Sequence, residues 1–245
     1  STSAILGSWK RSRCRRAPRS NSAIPFQCRH GQYMYRRHPA TRRKATEQMT
    51  IETSQPGPSG KIVLAMQVSL DGFVAKPDGD LSWMWPNFDD DLKAAALAGV
   101  RQTAIHVMGR NTYLAQAATW PQSDDPLAPI INRAEKVVFS TTLDHLEWEA
   151  SRLATAPLAE ELADLKRRSP GNVTITGGAQ LAQAASRLGI IEEYHLMIHP
   201  VALGAGLPLF AALEHPLTLH TVSRQQFDTG VQRVVLQPRE QVPQG

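Results

Sequence analysis

Val173-Thr174-Ile175-Thr176-Gly177-Gly178-Ala179-Gln180-Leu181 decides the fold, because a β-branched run stops at two glycines and the apolar period then changes from that of a strand to that of a helix. The spacing predicts a strand over 173–176 and a helix over 179–188. Working outward, short β-branched runs recur at Lys61–Val68, Ala104–Met108, Lys136–Ser140 and Tyr194–Ile198. Helical patterns lie between them, over Asn87–Val100, in a short piece after Gly109, and over Pro157–Arg168. Asp89, Asp90 and Asp91 place negative charge at the positive end of the first helix. Leu158, Leu162 and Leu165 form one stripe of the Pro157–Arg168 helix, with acids early and bases late. Leu217–Phe227, the turn Asp228-Thr229-Gly230 and Val231–Gln237 read as a terminal hairpin. The expected class is α/β: a mostly parallel central sheet flanked by helices, with a C-terminal antiparallel hairpin.

The 245 residues are 42% hydrophobic, enough for one large domain or two small ones. Their charge is uneven. Residues 1 to 48 hold 12 Lys and Arg against the single acid Glu47, a formal charge of +11, while residues 49 to 245 hold 15 basic and 21 acidic residues, a formal charge of −6. The body therefore gives no electrostatic reason to bind nucleic acid. Both cysteines, Cys14 and Cys28, lie in the basic arm, which leaves the body without a disulfide framework or a Cys-ligated metal. No apolar run approaches the roughly 18 residues of a membrane span. The arm has three readings: a nucleic-acid-binding tail, an Arg-rich targeting segment, and translation upstream of the true start. The change of composition at Met49 favours the third. Residues 1–60 are expected to be a disordered basic extension and leader, and 61–240 the folded domain.

Four strand ends carry candidate chemistry, three of them of one kind. Met108-Gly109-Arg110-Asn111-Thr112-Tyr113 follows a strand and opens a helix, where free amides, Arg110 and Thr112 can converge on an anion. Gly177-Gly178-Ala179-Gln180 has the same setting, and its glycines let the main chain run against a pyrophosphate or nicotinamide. Ser140 and Thr141 offer hydroxyls after a third strand. Together they point to one extended, phosphate-bearing ligand such as a dinucleotide. Ser69-Leu70-Asp71-Gly72-Phe73, and the loop that brings Trp83 and Trp85 back beside the same strand end, could grip a flat heterocycle. Gly204-Ala205-Gly206 lacks the third glycine of a dinucleotide fingerprint. His195 and His199 show no metal-ligand spacing and read as core or surface histidines, so no metal site is expected.

SLDGFVA (69–75), MGRNTY (108–113), KVVFS (136–140), TGGAQL (176–181) and EEYHLMIHPVALGAGLPLF (192–210), in this order, resemble the reductase family that pairs dihydrofolate reductase with the C-terminal reductase domain of the bifunctional riboflavin-biosynthesis deaminase/reductase. The resemblance spans 61–237. It implies a dihydrofolate-reductase-like sheet, NADPH as hydride donor, and a cytoplasmic homodimer acting on a small heterocycle, as 5-amino-6-(5-phosphoribosylamino)uracil reductase does. It also implies that Gly109, Arg110, Asn111 and Thr112 hold a phosphate of NADPH, that Ser140 and Thr141 lie on the adenosine-phosphate side, and that Gly177, Gly178, Ala179 and Gln180 form the pyrophosphate loop. Asp71 and Trp83 would match the substrate side. One departure is visible. Leu81-Ser82-Trp83-Met84-Trp85-Pro86 resembles the loop of true dihydrofolate reductases, but Phe88 stands where that family carries the acid that protonates a pterin, and Asp89 comes one position late. Two alternatives stay open: a non-catalytic, nucleotide-binding dimeric scaffold of the same fold, and a true dihydrofolate reductase.

Overall fold

The structure, a computed structural model, describes residues 60–239, so the expectation for the N-terminal extension lies outside the described residues. The strands are β1 (Ile62–Ser69), β2 (Phe73–Ala75), β3 (Thr103–Gly109), β4 (Glu135–Phe139), β5 (Ser151–Leu153), β6 (Asn172–Ile175), β7 (Glu193–His199), β8 (Leu207–Pro208), β9 (Leu219–Gln226) and β10 (Gln232–Pro238). The helices are α1 (Asp90–Gln102), α2 (Arg110–Ala117), α3 (Ala128–Arg133), α4 (Leu158–Arg168) and α5 (Ala179–Arg187).

Eight strands form one sheet in the order β5-β4-β3-β6-β1-β7-β10-β9. The six from β5 to β7 are parallel, and the hairpin β9–β10 adds antiparallel strands at the far edge. The expected class is therefore observed. Four elements were not legible: α3, the edge strand β5, and β2 with β8, which pair with each other in a small second sheet. Each spans six residues or fewer, too few for a period to show. Asn87 does not open α1. It ends a 3-10 turn over Ser82–Asn87, and Asp89 caps α1, its carboxylate accepting Leu92 N at 2.8 Å.

Two layers of helix cover the sheet. Residues Ile62, Leu64, Ile105, Val107, Val173 and Ile175 point to one face and pack against Leu162 and Leu165 of α4 and Ala182 and Ala185 of α5. The other face meets α1, α2 and α3. There Met108 and Val138 pack with Tyr113 and Ile131, and Met197 packs with Leu92. Helices that follow β1 and β3 thus leave on one side and the helix that follows β6 leaves on the other, which opens a crevice at the carboxyl ends of these neighbouring strands.

Candidate active site

The crevice continues into a cleft of about 1590 Å³ lined by all ten residues expected on the cofactor side: Gly109, Arg110, Asn111, Thr112, Ser140, Thr141, Gly177, Gly178, Ala179 and Gln180. Drug-sized ligands occupy pockets of roughly 300–1,000 Å³. The cleft therefore has room for more than one such molecule.

Two helix N-termini border it. α2 begins after Gly109 and α5 after Gly178, and neither has a side chain capping its first amides. Unsatisfied N–H groups and the positive dipole end make each a place for an anion. The two are held together by the glycines. Gly177 and Gly178 have φ of +127° and +89°, and a Cβ on Gly177 would stand 2.9 Å from Thr112 Cγ2. Any side chain there would push β6 and α2 apart. Gly109 is different: its φ of −84° suits any residue, and a Cβ on it would meet nothing within 4 Å. Its missing side chain leaves open cleft rather than relieving the protein. Beside it, Arg110 donates to Asn111 Oδ1 at 3.2 Å on the exposed rim. Ser140 Oγ accepts Thr142 N and Leu143 N, both at 3.1 Å, which orders the loop after β4.

Asp71 and Trp83 are not brought to this cleft. The Asp71 carboxylate accepts Ser69 Oγ at 2.6 Å, Gly204 N at 2.7 Å and Leu203 N at 3.1 Å, so it ties the end of β1 to the loop before β8. The Ser69 hydroxyl and these amides hold its pKa down to about 2. Trp83 is 8% exposed and sits edge-on to His199, with ring centroids 5.3 Å apart. Of the two tryptophans of this loop it is Trp85, 42% exposed, that lines the cleft. The carboxylate of Asp89 is engaged as a helix cap, so the late acid of the loop does not replace the missing one.

Three lining residues were not singled out as site residues from the sequence. His195, Arg233 and His106 all project from the sheet face beneath α1. His195 shares an ion-pair distance of 2.8 Å, from Nε2 to Oε2, with Glu193. Glu193 Oε1 in turn accepts Lys61 Nζ at 2.6 Å and Gln237 Nε2 at 2.9 Å. Burial opposes ionisation of Glu193, yet these donors prevail and its pKa falls to about 2. His106 Nε2 is buried without a hydrogen-bond partner among the described residues, and desolvation lowers its pKa to about 4. The signal was available in Glu193-Tyr194-His195-Leu196-Met197-Ile198-His199, where every second residue but Met197 is ionisable. A strand buried on both sides of a parallel sheet should be apolar throughout. Among the described residues no group of three or more His, Cys, Asp and Glu could hold a metal ion, and no helix is long and apolar enough to cross a membrane.

Comparison with known proteins agrees with this fold. The chain is 29% identical over 180 residues to the uncharacterized protein YyaP of Bacillus subtilis (strain 168), an alignment covering 71% of this chain and 93% of that one. Its fold is similar to that of the diaminohydroxyphosphoribosylaminopyrimidine deaminase/5-amino-6-(5-phosphoribosylamino)uracil reductase of Thermotoga maritima, with a TM-score of 0.55 and 17% identity over 74% of this chain and 57% of that one. It is also similar to dihydrofolate reductase of Enterococcus faecalis, with a TM-score of 0.52 and 14% identity over 74% of this chain and 99% of that one. The family model for the RibD C-terminal domain matches residues 60–233, and the chain belongs to that family.

Proposed function

We propose that the protein is an NADPH-dependent reductase of a small nitrogen heterocycle, of the pyrimidine or pteridine kind. The observation that carries this reading is the pair of uncapped helix N-termini, of α2 and α5, packed against each other at the mouth of a cleft large enough for two ligands. The donor set fits NADPH. Amides at the start of α5, after Gly177 and Gly178, and at the start of α2 would hold its phosphates. Arg110 would meet an additional phosphate, and Ser140 and Thr141 would supply hydroxyls on the same rim. Bound there, NADPH supplies a hydride. The protein supplies orientation and a water-poor wall: Ala95, Ala96 and Gly99 of α1 face the polar sheet surface across the cleft and leave space for a flat ring. Asp71 and Trp83 act at one remove on this reading, Asp71 by fixing the loop at 203–204 and Trp83 by packing on His199.

The RibD resemblance supports 5-amino-6-(5-phosphoribosylamino)uracil as the first substrate to test, and a homodimer in the cytoplasm as its setting. The domain proposed is 61–240. The acid displaced from the α1 loop counts against folate reduction. The same feature favours one second reading, a nucleotide-binding scaffold without chemistry. Titrating the full chain with NADPH and NADH by calorimetry, and following NADPH absorbance with the aminouracil and with dihydrofolate, separates them. The expected result is preferred binding of NADPH and its oxidation with the aminouracil. Binding without oxidation leaves the scaffold, and no binding removes both readings.

A further inference from the structure

A reduced C=N or C=O bond needs a proton as well as a hydride, and α1 offers no acid for it. Asp89 caps the helix, and the cleft-facing residues that follow are Ala95, Ala96, Gly99 and Val100. The sheet face opposite does carry titratable groups, His106 and His195, and of the two it is His195 that a carboxylate holds in place. We propose that His195, positioned by Glu193, delivers this proton from Nδ1.

The hydrogen bonds determine which nitrogen is available. Glu193 is ionised and accepts from Lys61, Gln237 and His195, so it can only be an acceptor, and Nε2 of His195 must be the protonated nitrogen that donates to it. Nδ1 has no hydrogen-bond partner among the described residues, and His195 lines the cleft. The two nitrogens thus have separate tasks, one anchored and one free to exchange a proton. Strand register puts His195 between Ala65 of β1 and Val235 of β10, so neither lateral neighbour competes for Nδ1. The charged groups that act on the ring are Glu193, Arg233 and Lys61; α1 presents none to it from its cleft side. Burial, with Arg233 and Lys61, outweighs Glu193 and brings the imidazole below its ordinary pKa. The ring is then mostly neutral at pH 7 and becomes an acid as the pH falls.

The step balances. Carbon of the bound C=N or C=O gains the hydride, two electrons pass from NADPH to the substrate, and the π pair moves to nitrogen or oxygen, which takes the proton from Nδ1. His195 is left neutral, its Nε2–H still on Glu193, and regains a proton from water. The inference rests on the reductase reading and deepens it.

The test uses the full chain, NADPH, and the two probe substrates 5-amino-6-(5-phosphoribosylamino)uracil and dihydrofolate. His195→Gln should lower kcat by about 100-fold or more, the contribution of a positioned acid, with KM and NADPH affinity within a few-fold. In the unaltered chain kcat should rise as the pH falls towards a midpoint below 6.5, and this limb should vanish in His195→Gln. Glu193→Gln should move the limb to lower pH. A purely structural pair would change the melting temperature without moving the limb. Nitrogen-15 NMR of the imidazole gives a readout apart from activity, in which the neutral ring should carry its proton on Nε2. Oxidation of NADPH at an undiminished rate in His195→Gln, or a neutral ring protonated on Nδ1, overturns the proposal and leaves the reductase reading standing. No oxidation of NADPH by the unaltered chain with either probe overturns both.

Discussion

One sheet presents two unlike faces. Towards α4 and α5 it shows Ile62, Leu64, Val107, Val173 and Ile175, all at 6% exposure or less, against leucine and alanine. Towards α1 the same strands show Gln67, His106, Thr174, Glu193 and His195. The helices match. α5 buries five residues, whereas Leu92 is the one fully buried residue of α1, whose remaining inward positions are largely alanine and glycine. The first face is packed to hold the fold, and the second is left open and polar, with some of its groups paired locally while His106 Nε2 and His199 Nδ1 are buried without a partner among the described residues. Thr103 and Thr174 hydroxyls meet at 2.8 Å, and Glu193 is satisfied by three donors. Burying such groups costs stability unless they are hydrogen-bonded, so the two unpaired histidine nitrogens are a standing cost of this face. On the proposed function, stability and chemistry are carried on opposite sides of the same backbone.

The contrast can be broken first on the packed face. Leu162→Ala should lower the unfolding free energy by about 2–5 kcal/mol, the cost of a core cavity, while NADPH affinity per folded molecule stays unchanged. Denaturant melts and cofactor titration on one preparation check this, and a fall in affinity would show the faces to be coupled.

The polar face should instead be sensitive to acid. Desolvation holds His106 and His199 down to about 4 in the folded protein, against 6.5 unfolded. Between these values the unfolded chain binds more protons, so stability rises with pH and is lost as pH falls from 6.5 towards 4. The loss is bounded at about 3 kcal/mol per histidine. Melting between pH 7 and 4.5 measures it, and His106→Gln should flatten the slope.

At the mouth of the cleft the effect is smaller and mixed. Gly178→Val should weaken NADPH binding at least tenfold, about 1.4 kcal/mol, and its φ of +89° adds backbone strain that lowers the melting temperature as well. A melting temperature that falls alone would sharpen the comparison by moving Gly178 to the structural side. Least of all should come from removing residues 1–48, with melting temperature and NADPH affinity expected within error of the full chain.

What was legible follows from length and from periodicity. α4 stood out because Leu158, Leu162 and Leu165 fall on one stripe over two turns, and α5 because the apolar period changes after Gly177 and Gly178. The residues expected on the cofactor side stood out not singly, since a glycine at a helix entry is commonly structural, but because three strand ends carry such groups together. β2 and β8 were hidden because each is stabilised by the other across more than 130 residues, as in the pairing of Phe73 with Pro208. Trp83 and Trp85, two residues apart, look alike in sequence. Only the 3-10 turn over Ser82–Asn87 sends the first against His199 and the second to the cleft.

The sequence by itself determined the α/β class, the parallel core with its terminal hairpin, and the two glycine-bearing helix starts, since each depends on neighbours within a few residues. Tertiary structure decided the rest of the site. That Gly177 meets Thr112, that Asp71 is spent on a loop at 203–204, and that His195 faces α1 across an open cleft all depend on strand order and on which side each helix leaves the sheet. Those choices are made by packing between distant segments, so local pattern carries no record of them.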